Sequence, residues 1–160
     1  MAVDMFLKCD GLAGESQDDS HKGEIDVLAW SWGASNSGTT HTGGGGGAGK
    51  VSVQDISVTK YVDNASTDLL LACCNGKHYS EMILTVRKAG ETPLEYIVMT
   101  MKDCLISSVS TGGSGGEDRL TENVSINFGS VEISYQEQKP DGGGGAKKRF
   151  GWDIAANKKL

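Results

Sequence analysis

Gly44 to Lys50 reads GGGGAGK, and a glycine-rich loop ending in lysine is the arrangement whose backbone N–H groups and ammonium hold the phosphates of a nucleotide. The surrounding residues remove that chemistry. Val51 stands where a serine or threonine hydroxyl would meet Mg²⁺, and the chain beyond it alternates as a strand, so no helix N-terminus faces the anion. A glycine tract of this kind also satisfies the pattern trivially. Gly112 to Gly116 reads G-G-S-G-G, which matches G-x-S-x-G with Ser114 as nucleophile. That mechanism needs a strand, a sharp turn and a helix, with the acid and histidine following in the chain, and no histidine follows Ser114. His21, His41 and His78 have no second histidine or cysteine at metal-binding spacing, so they are expected to be solvated loop or edge residues. The acidic stretch 14–24 lacks the D-x-[DN]-x-[DN]-G order of a calcium loop and reads as a solvated turn. Cys9, Cys73, Cys74 and Cys104 form no C-x-x-C pair, and adjacent Cys73 and Cys74 suit neither a tetrahedral metal nor a relaxed disulfide. They are expected as reduced core residues. No catalytic residue, cofactor or metal is therefore expected.

With 160 residues the chain is long enough for one core and one domain, 1–160. Its formal net charge of −6 repels phosphate backbones and anionic membranes, which argues against a nucleic-acid partner. Lys147, Lys148 and Arg149 precede Phe150 and Trp152, a combination that can stack bases, but the alternation of Phe150, Trp152 and Ile154 with Gly151 and Asp153 reads as a closing strand. No stretch approaches ~18 apolar residues, and the N-terminus lacks the basic and apolar regions of a signal peptide, so no membrane insertion is expected.

The remaining pattern is of strands. Residues 2–9, 25–33, 51–61, 79–88 and 94–109 alternate, with a hairpin at 89–93. In 25–33, Leu28, Trp30 and Trp32 share one face and Val27, Ala29 and Ser31 the other. The segment 119–136 changes parity at Gly129, which predicts a bulge or a bend. The single helix follows Asp63, Asn64 or Ser66 as caps, carries Leu69, Leu70 and Cys73 as its stripe, and stops at Gly76. An extended loop at 38–49 and a flexible glycine-rich connection at 137–149 to a last strand complete the expectation, which is a mainly β chain forming a small antiparallel barrel or sandwich.

Three stretches in order, IDVLAWSWGASNSG (25–38), GGGGGAGKVSVQDISVTKY (43–61) and SVSTGGSGGEDRLTENVSINFG (108–129), together with Gly76-Lys77-His78-Tyr79, resemble the Hcp family of the type VI secretion system. The resemblance covers almost the whole chain. It implies a β-barrel of two sheets with one flanking α-helix, a homohexameric ring and rings stacked into a tube. It also implies effector proteins in the lumen, a VgrG-type spike protein and a contractile sheath as partners, and no catalysis. Assembly would take place in the bacterial cytoplasm, with secretion following without a signal peptide. On that basis Ser31, Ala29 and Val27 would face lumen and cargo. Thr39, Thr40, His41, Thr42, Gly43, Gly44, Gly45, Gly46 and Gly47 would form an inter-subunit or inter-ring loop. Two other readings are a monomeric β-sandwich module holding a glycan or peptide in its glycine-rich loops, and a small hydrolase using Ser114.

Overall fold

The computed structural model describes residues 3–38, 41 and 49–160. In chain order it contains β1 (Val3–Cys9), β2 (Ile25–Ser31), β3 (Ala34–Ser35), β4 (Ser52–Val53), β5 (Ile56–Tyr61), α1 (Ser66–Asn75), β6 (His78–Lys88), β7 (Leu94–Thr111), β8 (Thr121–Asn127), β9 (Ser130–Gln138), β10 (Gly144–Asp153) and β11 (Lys158–Lys159).

Six antiparallel strands close a barrel in the order β1-β2-β5-β8-β7-β6, with β6 returning to β1. Closure leaves no free edge in this part of the sheet. The alternation seen in the sequence fills its interior: Leu7, Ile25, Ile56, Val58, Leu84, Met99, Met101, Val124 and Ile126 are all buried in one cluster. The ribbon β3–β4 is the second, separate sheet.

Strand β7 serves two partners. Its first half pairs with β9 (Ile97–Lys102 against Tyr135–Ser130), and its second half pairs with β8 (Leu105–Thr111 against Asn127–Glu122). The change of partner falls at Asp103, a non-glycine residue with φ 55. Opposite it, a Cβ on Gly129 would lie 3.3 Å from the Asp103 Cβ. The bend predicted at Gly129 is therefore where β8 leaves the barrel and β9 begins. From there β9, β10 and β11 form a three-stranded wing attached through β7. The expected flexible connection at 137–149 does not occur. A tight turn replaces it, with Gly142 N–H donating to the Lys139 carbonyl (2.8 Å) and Lys139 N–H to the Gly143 carbonyl (2.8 Å), and β10 starts inside the glycine tract.

Helix α1 lies against β7 and ends as predicted at Gly76, whose φ of 69 is readily adopted by glycine. Its buried residues are Leu69 and Ala72, while Leu70 points out at 46% exposure. The stripe is thus Leu69, Ala72 and Cys73, and small Ala72 was the member hidden by its neighbours' bulk. No side chain caps the helix directly. Asp63 accepts the Ala65 N–H (2.9 Å), and the Ser66 hydroxyl accepts the Asp63 N–H (2.9 Å).

Beneath this turn, Lys60 and Glu122 face each other across the β5–β8 ladder inside the barrel, 0% and 2% exposed. The Lys60 ammonium also reaches Asp63 (2.9 Å) and the Tyr61 carbonyl (2.9 Å), and the Ser66 hydroxyl donates to Glu122 (2.6 Å). The ion pair therefore ties the helix start to the barrel wall.

The acidic turn is less solvated than expected. His21 is buried, stacked on Phe6 with centroids 4.4 Å apart, and its ring nitrogens lie 2.9 Å from Glu24 and 3.2 Å from Glu95. Arg87 meets both carboxylate oxygens of Asp18, which holds the Asp18 carboxyl at about 2. Arginine and histidine together thus pin the turn to β1, β6 and β7.

Candidate assembly surface

The outward face of the barrel is set by the same alternation that buries its core. Because Ile56, Val58 and Lys60 point inward from β5, Ser57 and Thr59 point outward, and on β8 the outward residues are Asn123 and Ser125. Ladder register aligns them across four strands. Ala29, Thr59, Asn123 and Ser110 form one row, and Ser31, Ser57, Ser125 and Ser108 the next. The Thr59 hydroxyl donates to the Asn123 side-chain oxygen at 2.7 Å within the first row. No residue in either row is charged. Asp55 lies at one end of the wall, accepting from Ser107 (2.6 Å) and Asn127 (2.8 Å), and Arg119 at the other, 3.8 Å from the Tyr61 ring centroid.

Ala29 and Ser31 are exposed on this wall. Val27 is not: it is buried in the core at 6% exposure, whereas Leu28, expected inside, is 39% exposed. The cause is a β-bulge. Val27 pairs with Lys60 and Ala29 with Thr59, so Leu28 is the extra residue and parity reverses across it. Trp30 and Trp32 pack on the core as expected. A single alternation drawn through 27–32 cannot show an inserted residue, and the sequence carries no glycine there to mark it.

The 38–49 excursion is anchored at its feet. Gly49 N–H donates to the Ser37 carbonyl (3.1 Å), and the Asn36 amide donates to the Gly49 carbonyl (2.7 Å). The β3–β4 ribbon and the Trp32 indole, which donates to the Gln54 carbonyl at 2.8 Å, hold the flanking residues. His41 is exposed; Thr39, Thr40, Thr42 and Gly43 to Gly47 lie outside the described residues.

The residues that looked chemical are not assembled. Ser114 occupies an exposed turn between β7 and β8, where its hydroxyl accepts the Gly116 N–H at 3.4 Å and no helix follows. Lys50 leads into β4 rather than a helix. Burial pushes the thiols of Cys9 and Cys104 up to about 11 and about 12, so both stay protonated and poorly nucleophilic. Cys74, expected in the core, is exposed on α1. Among the described residues no group of three or more His, Cys, Asp or Glu side chains is placed to hold a metal ion, and no helix is long and apolar enough to cross a membrane.

A family model described as "Type VI secretion system effector, Hcp" matches residues 6–135. Protein hcp1 of Pseudomonas aeruginosa is 59% identical over 159 residues, which covers 98% of each chain. Among solved structures, Hcp1 from Salmonella typhimurium superposes with a TM-score of 0.84 at 42% identity over all of both chains. A type six secretion system protein superposes with 0.94 at 32% identity, covering 99% of this chain and 100% of that one. With the barrel, its flanking helix and both levels of likeness in agreement, the chain belongs to the Hcp family of type VI secretion tube proteins.

Proposed function

We propose that six copies of this chain close into a ring, that rings stack into the inner tube of a type VI secretion machine, and that small effector proteins ride in the lumen against Ala29 and Ser31. The observation that carries this reading is the four-strand wall of small, uncharged outward residues, which offers room and neutral hydrogen bonding instead of a catalytic pocket. The pinned excursion between Ser37 and Gly49, with Thr39 to Gly47 at its centre, supplies the contact between neighbouring subunits or rings. A VgrG-type spike and the contractile sheath are the further partners, and the chain leaves the cell with the tube.

Light scattering at micromolar concentration tests the ring: a species near six times 16.8 kDa is expected, and a monomer at every concentration would refute it. Ser31→Gln tests the lumen. Added volume on an exposed strand residue should leave the ring intact and move stability by no more than about 0.5 kcal/mol, while co-purification of a cognate effector falls. Full effector retention on an intact ring would remove Ser31 from the cargo surface.

A further inference from the structure

Residues Ala146 to Phe150 of β10 are exposed one after another. Successive residues of a strand face opposite sides of the sheet, so five in succession mean that neither face of β10 is covered there. An antiparallel sheet ordinarily keeps one face packed, which leaves this wing short of a partner. Phe150 is 48% exposed, and a cleft of about 260 Å³ opens beside it, between Trp32, Val51 and Val53 on one side and Val131, Phe150 and Trp152 on the other.

Charge indicates what covers it. From residue 144 onward the chain carries Lys147, Lys148, Arg149, Lys158 and Lys159 against one acid, Asp153. That leaves ten basic and twenty acidic residues in the first 143. The β10–β11 end of the wing thus has a formal charge of +4 and the rest of the chain −10; counted with β9 and its turn, residues 130–160 are +2 and the body −8. Lysines on β11, the free edge, discourage unwanted strand pairing. β11 covers β10 only at Trp152 and Asp153, so Lys147, Lys148 and Arg149 lie on the open edge of the wing as well, where their charge keeps it from random strand pairing while leaving it free for a charged partner. Among the described residues only Arg149 of these five meets a carboxylate, the exposed Glu132 at 3.2 Å. A basic, uncovered wing on an otherwise acidic molecule is complementary to another copy of itself.

We infer that the β9–β10–β11 wing docks on the acidic body of a second copy of this chain, with the cleft at Phe150 as the apolar centre, Lys148 beside it on the same face, and Lys147 and Arg149 charging the opposite face of the exposed strand. Such a contact is head-to-tail, using different surfaces on the two copies, and this is the type that closes rings. The inference rests on the ring reading and names the surface that makes the ring.

The test is solution mass against salt and charge. The triple variant Lys147→Glu, Lys148→Glu, Arg149→Glu should keep its circular dichroism spectrum and raise the concentration for half-assembly by about 100-fold. The wild-type ring should loosen by about tenfold between 0.05 and 0.5 M NaCl, since exposed charge pairs are screened at high ionic strength. If the triple variant fails to fold, Phe150→Ser, which leaves every charge in place, should weaken assembly in its stead. A wild-type ring indifferent to salt, together with an unchanged ring in the folded variant, overturns the wing contact and leaves the ring reading standing. A wild-type chain that is monomeric throughout removes the ring reading itself.

Discussion

Lys60 has its ammonium between Glu122, Asp63 and the Tyr61 carbonyl, with its side chain fully buried. Replacing it with methionine keeps the length of the side chain and removes the cation, leaving two carboxylates that are 2% and 7% exposed facing each other. Breaking a buried pair from one side costs about 3–5 kcal/mol, because the remaining charge is neither hydrated nor paired. Glu122 keeps the Ser66 hydroxyl at 2.6 Å and Asp63 keeps the Ala65 N–H at 2.9 Å, which places the loss nearer the lower end. For a chain of this size about 3 kcal/mol lowers Tm by roughly 6–12 °C. The double variant Lys60→Met, Glu122→Leu should recover at least about 1 kcal/mol of that loss, since the more deeply buried of the two orphaned carboxylates is removed and Asp63 no longer faces a like charge. Urea denaturation followed by circular dichroism at pH 7 measures all three proteins, at one fixed concentration because association adds to stability. A loss below about 1 kcal/mol in the single variant, or a double variant weaker than the single, would refute the argument that an unpaired buried carboxylate dominates.

Two further outcomes are expected. Hydrogen bonding from Arg87 lowers the Asp18 carboxyl from 3.8 to about 2 in the folded chain, so its contribution to stability is present above 3.8 and is lost as pH falls through about 2. Thermal melts of Asp18→Asn should therefore lie below wild type at about pH 5 and converge with it near pH 2, whereas parallel curves would deny the coupling. On the helix, Leu69→Ala should cost about 2–5 kcal/mol and Leu70→Ala no more than about 0.5, read by the same denaturation, and equal losses would place the helix face wrongly.

The barrel was legible because its strands bury one face, and burial on one side writes period-two alternation into the sequence. The bend at Gly129 was legible for the same reason, as a parity change beside a glycine where an added Cβ would crowd Asp103 at 3.3 Å. Val27 was misplaced because the bulge at Leu28 inserts a residue without changing the apparent alternation of its neighbours. His21 was misplaced because only Glu24 among its partners is local: Phe6 and Glu95 come from other strands, and only the fold puts a ring and a second carboxylate there. Lys60 and Glu122 could be read only once register set them opposite each other, since each alone looks like an ordinary surface charge. The candidate wall is in the same position. Ser31, Ser57, Ser125 and Ser108 are unremarkable singly and become a surface through ladder pairing.

The double duty of β7 has a mechanical consequence. Its 18 residues, roughly 60 Å of extended chain, run without interruption from the wing into the barrel. A pull on the wing along this strand meets no slack loop that could stretch first. It loads the ladders to β6 and β8 in shear, where many hydrogen bonds share the force, instead of peeling them singly. A particle that is driven as a column and must not come apart link by link gains from such a strand. The point at which it would yield is the kink at Asp103, where the partners on one side change.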